Sequence, residues 1–151
     1  MTTYELAQVN IARAKYPTDA AEFKDFMDGL EPVNAIADQA DGFVWRLRDD
    51  SGDATSYRVL GDDRMLINLS VWRDPNALTA FTYQGLHREF LGRRREWFEH
   101  LTDAVSALWW VPAGERPSVA EAEARILHLR EHGPTEYAFN LRTSFPAPAP
   151  K

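Results

Sequence analysis

The alternation of apolar and polar residues along the chain predicts six β-strands. The clearest pattern runs from Met65 to Trp72, and a second long one covers residues 4–13 near the N-terminus. The shortest and least regular pattern is that of residues 57–60. The other three predicted strands are residues 43–48, 106–111 and 137–141.

Between the strands, apolar residues recur every three or four positions, which predicts amphipathic helices. Asp19 and Glu22 have the spacing of a capping box at the start of the first helix. Gly29 and Pro32 predict the end of this helix, so a second, short helix is expected over residues 33–39.

Three further helices are predicted in the second half of the chain. One starts at Asp74, which precedes a proline and therefore fits the N-cap position. A longer one spans residues 86–101. The last begins with a second capping-box pair, Ser118 and Glu121, and ends at Gly133.

The element order β-α-α-β-β-β-α-α-β-α-β predicts an α+β fold, in which an antiparallel sheet carries helices on one face. A single helical layer would leave the second sheet face without cover. In the clearest strand, this second face carries Asn68, Ser70 and Trp72, opposite an aliphatic face that suits the helices.

Two other strands contribute to this mixed face. The first strand has a similar polar register at Gln8 and Asn10, and the fifth contains Trp109 and Trp110, whose side chains must point to opposite faces. Amides, a hydroxyl and a tryptophan suit the lining of a cavity that a second subunit closes. They equally suit a half-solvated face with a tryptophan at a dimer interface, and the pattern alone leaves both open.

Composition sets the size of the folded unit. The chain has 151 residues, of which 44% are hydrophobic, and this is enough for one domain with a sizeable core. We place the domain at residues 1–145. Residues 146–151 alternate proline and alanine before the final lysine and are predicted to form a disordered tail.

Charge and residue types exclude several classes of protein. The formal net charge of −6 argues against a general nucleic-acid binder. The lack of cysteine excludes disulfides, thiolate zinc sites and cysteine nucleophiles. The N-terminus lacks a signal-peptide pattern, and no apolar window approaches the roughly 20 residues of a membrane helix. We therefore expect a cytoplasmic protein without nucleic-acid or membrane partners.

Two aromatic-rich motifs resemble an uncharacterised bacterial family, number 3291 among the domains of unknown function. The first is Ser70-Val71-Trp72-Arg73-Asp74, continued by Phe81-Thr82-Tyr83, His87 and the run from Arg93 to Phe98. The second is Leu108-Trp109-Trp110-Val111-Pro112-Ala113-Gly114, continued by matches as far as Thr135. The resemblance covers residues 4–145.

The resemblance implies a ferredoxin-like chain that pairs as a homodimer into a dimeric α/β barrel, with an aromatic pocket in each subunit. This superfamily includes cofactor-independent monooxygenases of antibiotic biosynthesis, heme-degrading enzymes, chlorite dismutase-like heme proteins and simple binding proteins. It implies no single reaction, because one fold hosts many functions. The leading hypothesis is a cofactor-independent, monooxygenase-like oxidoreductase that acts on a small aromatic or polyketide-like substrate.

In cofactor-free oxygenases of this fold, an amide and a tryptophan bind an electron-rich aromatic substrate, which reduces oxygen once it is deprotonated. Carried over to this chain, Asn10 or Asn68 would donate hydrogen bonds to the substrate anion, and Trp72 and Trp109 would stack on it. Ser70 is expected to line the same pocket. The alternative is that the tryptophans only fill an interface.

His87 is the candidate general base, and Tyr83 lies one helical turn before it. If the protein instead binds heme, which is the second hypothesis, His87 is the candidate axial ligand; a purely structural histidine is the simplest alternative. Arg94 is a candidate contact for an anionic or carbonyl-bearing ligand. Arg93, Arg94 and Arg95 cannot form one cluster, because successive helical residues point about 100° apart.

His128 and His132 have the i, i+4 spacing of metal ligands. Their position at a helix C-terminus favours a structural role, so no metal site is predicted. The third hypothesis is a ligand-binding protein without catalytic activity.

Overall fold

The computed structural model describes residues 3–17, 19–48, 59–62, 64–82 and 92–148. A short 3₁₀ turn, Ala21–Phe23, leads into the first helix, and residues 92–97 are also helical. In chain order the strands and longer helices are β1 (Tyr4–Arg13), α1 (Lys24–Asp38), β2 (Phe43–Arg46), β3 (Met65–Trp72), α2 (Pro75–Thr82), β4 (Ser106–Pro112) and α3 (Val119–His132).

The four strands form one antiparallel sheet in the order β2-β3-β1-β4. The long alternating pattern of β1 places it in the centre, where β3 and β4 pair with it on either side. In this register Gln8 lies opposite Ser70, and Leu6 lies opposite Trp72. The predicted α+β class and antiparallel sheet are confirmed.

Helices cover both faces of this sheet. The aliphatic face of β1 and β3 packs against α3, and its buried side chains include Val9, Leu69, Trp109 and Ile126. The opposite face packs against α1 and α2. There, the buried cluster includes Leu6, Trp72, Ala37, Leu78 and Phe81.

The sequence predicted a single helical layer and an uncovered face around Trp72. At the Trp72 end this is wrong, because α1 and α2 of the same chain bury the face, and Trp72 is only 2% exposed. Element order does not specify which side of the sheet each connection crosses. The third helix lies on the far side because its apolar positions pack on the aliphatic face.

The first helix is one element rather than two. It runs without interruption from Lys24 to Asp38 with Pro32 inside, and the expected capping box at Asp19 does not form. Proline removes one backbone hydrogen bond from a helix interior. Side chains on both sides of it pack in the core, Met27 near Phe23 and Ala37 near Trp72, so burial holds the two halves in one helix.

The other helix signals agree with the structure. The Asp74 carboxylate accepts a hydrogen bond from the backbone N–H of Ala77 at 2.8 Å, and the Ser118 hydroxyl accepts one from Glu121 at 3.1 Å. Gly133 ends α3 with a positive φ of 74°. These caps are local interactions that a short motif can specify, although the Asp19 motif did not produce one.

Several predicted boundaries are wrong. The second predicted strand ends at Arg46 rather than at residue 48, and the long helix expected to reach residue 101 ends at Trp97, whose backbone carbonyl accepts a hydrogen bond from Lys15. Instead of the strand predicted over residues 137–141, only Phe139 pairs with β4, through two backbone hydrogen bonds to Leu108. Residues 57 and 58 of the 57–60 segment lie outside the described residues, as do residues 83–91, and Val59 forms an isolated bridge with Asp62.

The described part of the chain contains no helix that is long and apolar enough to cross a membrane.

Gly42 stands where the turn before β2 passes close to α2. Its φ is +81°, in the left-handed region that favours glycine, and an added Cβ would collide with the Cβ of Ala77. The Gly42 carbonyl also accepts a hydrogen bond from Arg73 N at 2.7 Å. The turn therefore depends on glycine for both its conformation and its packing.

We predict that Gly42→Ala lowers the free energy of unfolding by about 2–4 kcal/mol, since strain of about 1–2 kcal/mol at the left-handed position adds to overpacking. Gly114→Ala is the matched control, because Gly114 has a φ of +92° but open space around it. Gly114→Ala should lower the free energy of unfolding only by the backbone strain. Adding Ala77→Gly to Gly42→Ala should restore part of the lost stability, because it removes the collision. Urea denaturation measures all three; equal losses for the two glycines would contradict the predicted collision.

Candidate functional site

Buried polar residues form a row across the sheet on the face that α1 and α2 cover. Gln8 of β1 pairs in register with Ser70 of β3, which in turn pairs with Arg46 of β2. These three are only 9%, 5% and 9% exposed. Buried polar side chains are uncommon unless they are hydrogen-bonded or take part in binding or catalysis, so this row is a candidate functional site.

A hydrogen-bonded network joins this row to its neighbours. The Gln8 side-chain nitrogen Nε2 donates to Asn68 Oδ1 at 2.6 Å and to Ser70 Oγ at 2.7 Å. Ser70 Oγ accepts a second hydrogen bond from the indole Nε1 of Trp72 at 2.9 Å. Four side chains from two strands are thereby fixed relative to one another.

The next row along the same face is open. Asn10 and Asn68 lie opposite each other in the register of β1 and β3, and both are exposed. We call Gln8, Ser70, Asn10 and Asn68 the polar band. Two of its members are buried and two are accessible, so a ligand can reach the Asn68 amide, which a buried network holds in place, and the Asn10 amide opposite it.

Aromatic clusters lie on either side of the polar band. On one side, the Trp72 ring stacks against Phe81 with centroids 5.2 Å apart and meets Phe43 edge-on at 5.5 Å. On the other side, Phe23 and Trp97 are buried in a separate cluster. A polar strip between apolar walls is the composition of a small-molecule site.

Arg46 continues the buried row on β2, and the sequence patterns did not identify it as a site residue. Its Nε donates to Asp38 Oδ1 at 2.7 Å and its Nη2 donates to Asp38 Oδ2 at 3.3 Å. The ion pair joins the end of α1 to the sheet. A single arginine in the otherwise apolar segment from Phe43 to Arg46, eight residues after an aspartate, was the available signal.

The structure brings together four of the predicted site residues: Asn10, Asn68, Ser70 and Trp72. It does not bring Trp109 to them. In the register with β1, Trp110 lies on the face of Trp72, whereas Trp109 lies opposite Ala7 and is buried against α3. Trp110 therefore replaces Trp109 beside the site, where its indole donates to the backbone carbonyl of Phe145 at 2.8 Å.

The remaining candidates have different outcomes. Tyr83 and His87 lie outside the described residues, so their roles stay predictions. Arg94 is exposed in the helical segment 92–97. Its neighbour Arg93 pairs with Glu96 and Asp25 and lies over the ring of Trp97, so the charge of Arg93 is used within the chain.

His128 and His132 contact each other with ring centroids 4.4 Å apart. His128 Nε2 is 3.1 Å from the Thr135 hydroxyl, so this ring takes part in anchoring the segment after α3. Among the described residues, no group of three or more metal-binding side chains occurs.

A surface cleft of about 210 Å³ lies beside Arg73 and Phe81. Arg73 donates to both oxygens of Asp41, and these hydrogen bonds hold the pKa of that carboxyl below its usual value. The pKa of Asp74 is also lowered, first by the backbone N–H of Ala77 and then by Arg73. The cleft contains none of the residues predicted for the site, and its charged groups are paired with each other.

The fold and the polar band define an α+β protein with a candidate small-molecule site on one sheet face. The model of the family described as "Domain of unknown function (DUF3291)" matches residues 5–151. The chain therefore belongs to this family, as the two motifs predicted. No curated protein matches the chain.

Solved structures share the architecture at low identity. A conserved protein from Methanosarcina mazei Go1 has a TM-score of 0.51 and 13% identity, and the match covers 71% of this chain and 90% of that one. PA3566 from Pseudomonas aeruginosa has a TM-score of 0.49 and 12% identity over 78% and 99% of the two chains. A mutant of SnoaB, a cofactor-independent oxygenase from Streptomyces nogalater, has a TM-score of 0.46 and 17% identity over 74% and 95%. The first of these matches supports the fold alone.

We predict that Ser70→Ala lowers the free energy of unfolding by about 2–4 kcal/mol, because it leaves the buried Nε2 of Gln8 and Nε1 of Trp72 without their common acceptor. Ser106→Ala is the matched control, since Ser106 is an exposed serine opposite Asn10 in the same sheet. It should change stability by less than about 0.5 kcal/mol. Chemical denaturation measures both, and an equal effect would contradict the network.

Proposed function

We propose that the protein binds a small, flat aromatic molecule over the polar band and oxidises it with molecular oxygen, without a cofactor. The observation that carries this proposal is the polar band itself, in which a buried network holds the accessible Asn68 amide between two aromatic clusters. Family membership specifies no reaction. The expectation of this chemistry comes from the resemblance to a superfamily that includes cofactor-independent monooxygenases, and the fold is compatible with it.

The arrangement suits a substrate that becomes an anion. Asn10 and Asn68 are accessible hydrogen-bond partners for an oxygen atom on the ligand, and preorganised amides stabilise developing negative charge. Trp72, Phe81 and Phe43 form an aromatic cluster that closes the band at this end; Trp72 is only 2% exposed, so it supports the site from within the core instead of stacking on the ligand, as the sequence had suggested. His87 is the proton acceptor that the sequence suggests.

The reaction balances without a further reductant. A methylene carbon that is conjugated with a carbonyl through aromatic rings loses a proton, and the resulting anion gives one electron to oxygen. The two radicals combine to a peroxide, which loses water and leaves a ketone. The carbon exchanges two hydrogen atoms for one oxygen atom, the second oxygen atom leaves as water, and the substrate supplies all the electrons. The protein's part is to bind, deprotonate and exclude bulk water.

We predict oxygen uptake by the purified protein with anthrone, in buffer without added cofactor. Asn68→Ala should lower kcat about a hundredfold, since it removes an amide donor from the substrate anion. Asn76→Ala, an asparagine on α2 outside the polar band, is the matched control and should leave kcat within about twofold. An oxygen electrode and product analysis measure the rates.

Uptake that is the same in the Asn68 and Asn76 variants would contradict the polar band as the reaction site. If no oxygen is consumed with anthrone while aromatic ligands still raise the melting temperature, the protein is a binding protein without this activity.

We also propose that the working unit is a homodimer, as the family resemblance implies. Exposed apolar side chains support this: Leu127 on α3 and Tyr137 and Leu141 in the segment after it are 48%, 42% and 43% exposed. Light scattering on a size-exclusion column should give twice the chain mass of 17.2 kDa. A stable species with the mass of one chain would overturn the proposal.

A further inference from the structure

We infer that Gln8 sets the hydrogen-bonding polarity of the polar band, so that the band takes a ligand that presents an acceptor, namely a carbonyl or oxyanion, rather than a donor. The inference rests on the proposed function for the location of the site, and it adds the class of ligand and the residue that selects it. Gln8 acts through its neighbours and is a positioning residue.

The first step is the orientation of Asn68. An asparagine side chain has one accepting oxygen and one nitrogen with two N–H groups. Gln8 Nε2 occupies the oxygen, because it donates to Asn68 Oδ1 at 2.6 Å. Asn68 is exposed, and among the described residues its nitrogen has no hydrogen-bond partner. Its free capacity is therefore a pair of donors.

The second step concerns Ser70. A hydroxyl has two accepting lone pairs and one proton. Gln8 Nε2 and Trp72 Nε1 occupy both lone pairs, at 2.7 and 2.9 Å. The hydroxyl proton is the capacity that remains. Ser70 and Asn68 thus both have only donors left; Asn68 is the accessible one, and Ser70 is buried behind it. Gln8 donates to both, with Trp72 as the second donor to Ser70.

The third step is the consequence for the ligand. Donors in a partly buried site are satisfied by a carbonyl or an oxyanion, whereas a ligand N–H in the same place would leave donor facing donor and cost the desolvation of both. Arg46, next in the row, also carries only donors. Two of these donors are bonded to Asp38, so Asn68 is the accessible donor that Gln8 orients.

The test compares two neutral tricyclic probes, 9-fluorenone and carbazole, which place a carbonyl and an N–H at the same position of a flat ring system. Neither needs to react, so the measurement is independent of oxygenase activity. Fluorescence or calorimetric titration should show that the wild-type protein binds fluorenone about tenfold more tightly than carbazole.

Gln8→Glu is the decisive variant because the two side chains have nearly the same shape. An ionised carboxylate accepts only, so Asn68 must turn its nitrogen and Ser70 its proton toward position 8, and Asn68 then presents its oxygen to the ligand. The preference should reverse toward carbazole as the introduced carboxyl ionises between about pH 6 and about pH 9, the range expected for a buried glutamate. The wild-type preference should stay constant over this range, because neither probe titrates there.

Gln8→Met is the control for shape without polarity. It should abolish the preference without reversing it, because Asn68 is then free to present either end. Three outcomes would overturn the inference: a wild-type preference for carbazole, which the opposite orientation of the Gln8 amide would produce; a preference in Gln8→Glu that equals the wild type's at every pH; and binding of neither probe. If the protein prefers fluorenone over carbazole but consumes no oxygen, the inference about Gln8 stands and the proposed reaction is contradicted.

Discussion

The pairing register between β1 and β3 is the constraint on which the rest of the structure depends. Side chains alternate between sheet faces, so a shift of one residue would move every polar group of one strand to the other face. The observed register places Gln8 beside Ser70 and Asn10 beside Asn68, and it keeps Val9 beside Leu69 on the aliphatic face. The same register therefore completes the core under α3 and assembles the polar band.

Most of the fold could be predicted from the chain because its signals are local. The alternation in β1 and β3, the cap at Asp74 and the capping box at Ser118 all act within a few residues. The errors arose where a distant contact decides the outcome. Pro32 stays inside a helix because side chains on both sides of it are buried in the core. Where a strand was expected over residues 137–141, the structure has a single bridge, from Phe139 to Leu108 of β4.

The candidate site was partly visible for the same reason. Asn68, Ser70 and Trp72 share one face of one strand, and alternation alone reveals this. The choice between Trp109 and Trp110 required the register with β1, which no local pattern contains. The ion pair that buries Arg46 needs α1 to end beside β2, and Gln8 became prominent only through bonds to residues about 60 positions away. These parts of the site could not be predicted because they depend on contacts between residues that are far apart in the sequence.

The central position of β1 also has a consequence for how the protein emerges from the ribosome. β1 is the first strand to be synthesised, yet its partners are β3 and β4, and Gln8 pairs with residues 70 and 108. One edge of β1 therefore stays without its native partner until β3 is made, near the middle of the chain, and the other edge until β4 is made in the second half. Strands that wait in this way are exposed to wrong partners. The polar residues at alternate positions of β1 then serve the nascent chain as well as the finished site, because they keep the waiting strand from being hydrophobic on both faces.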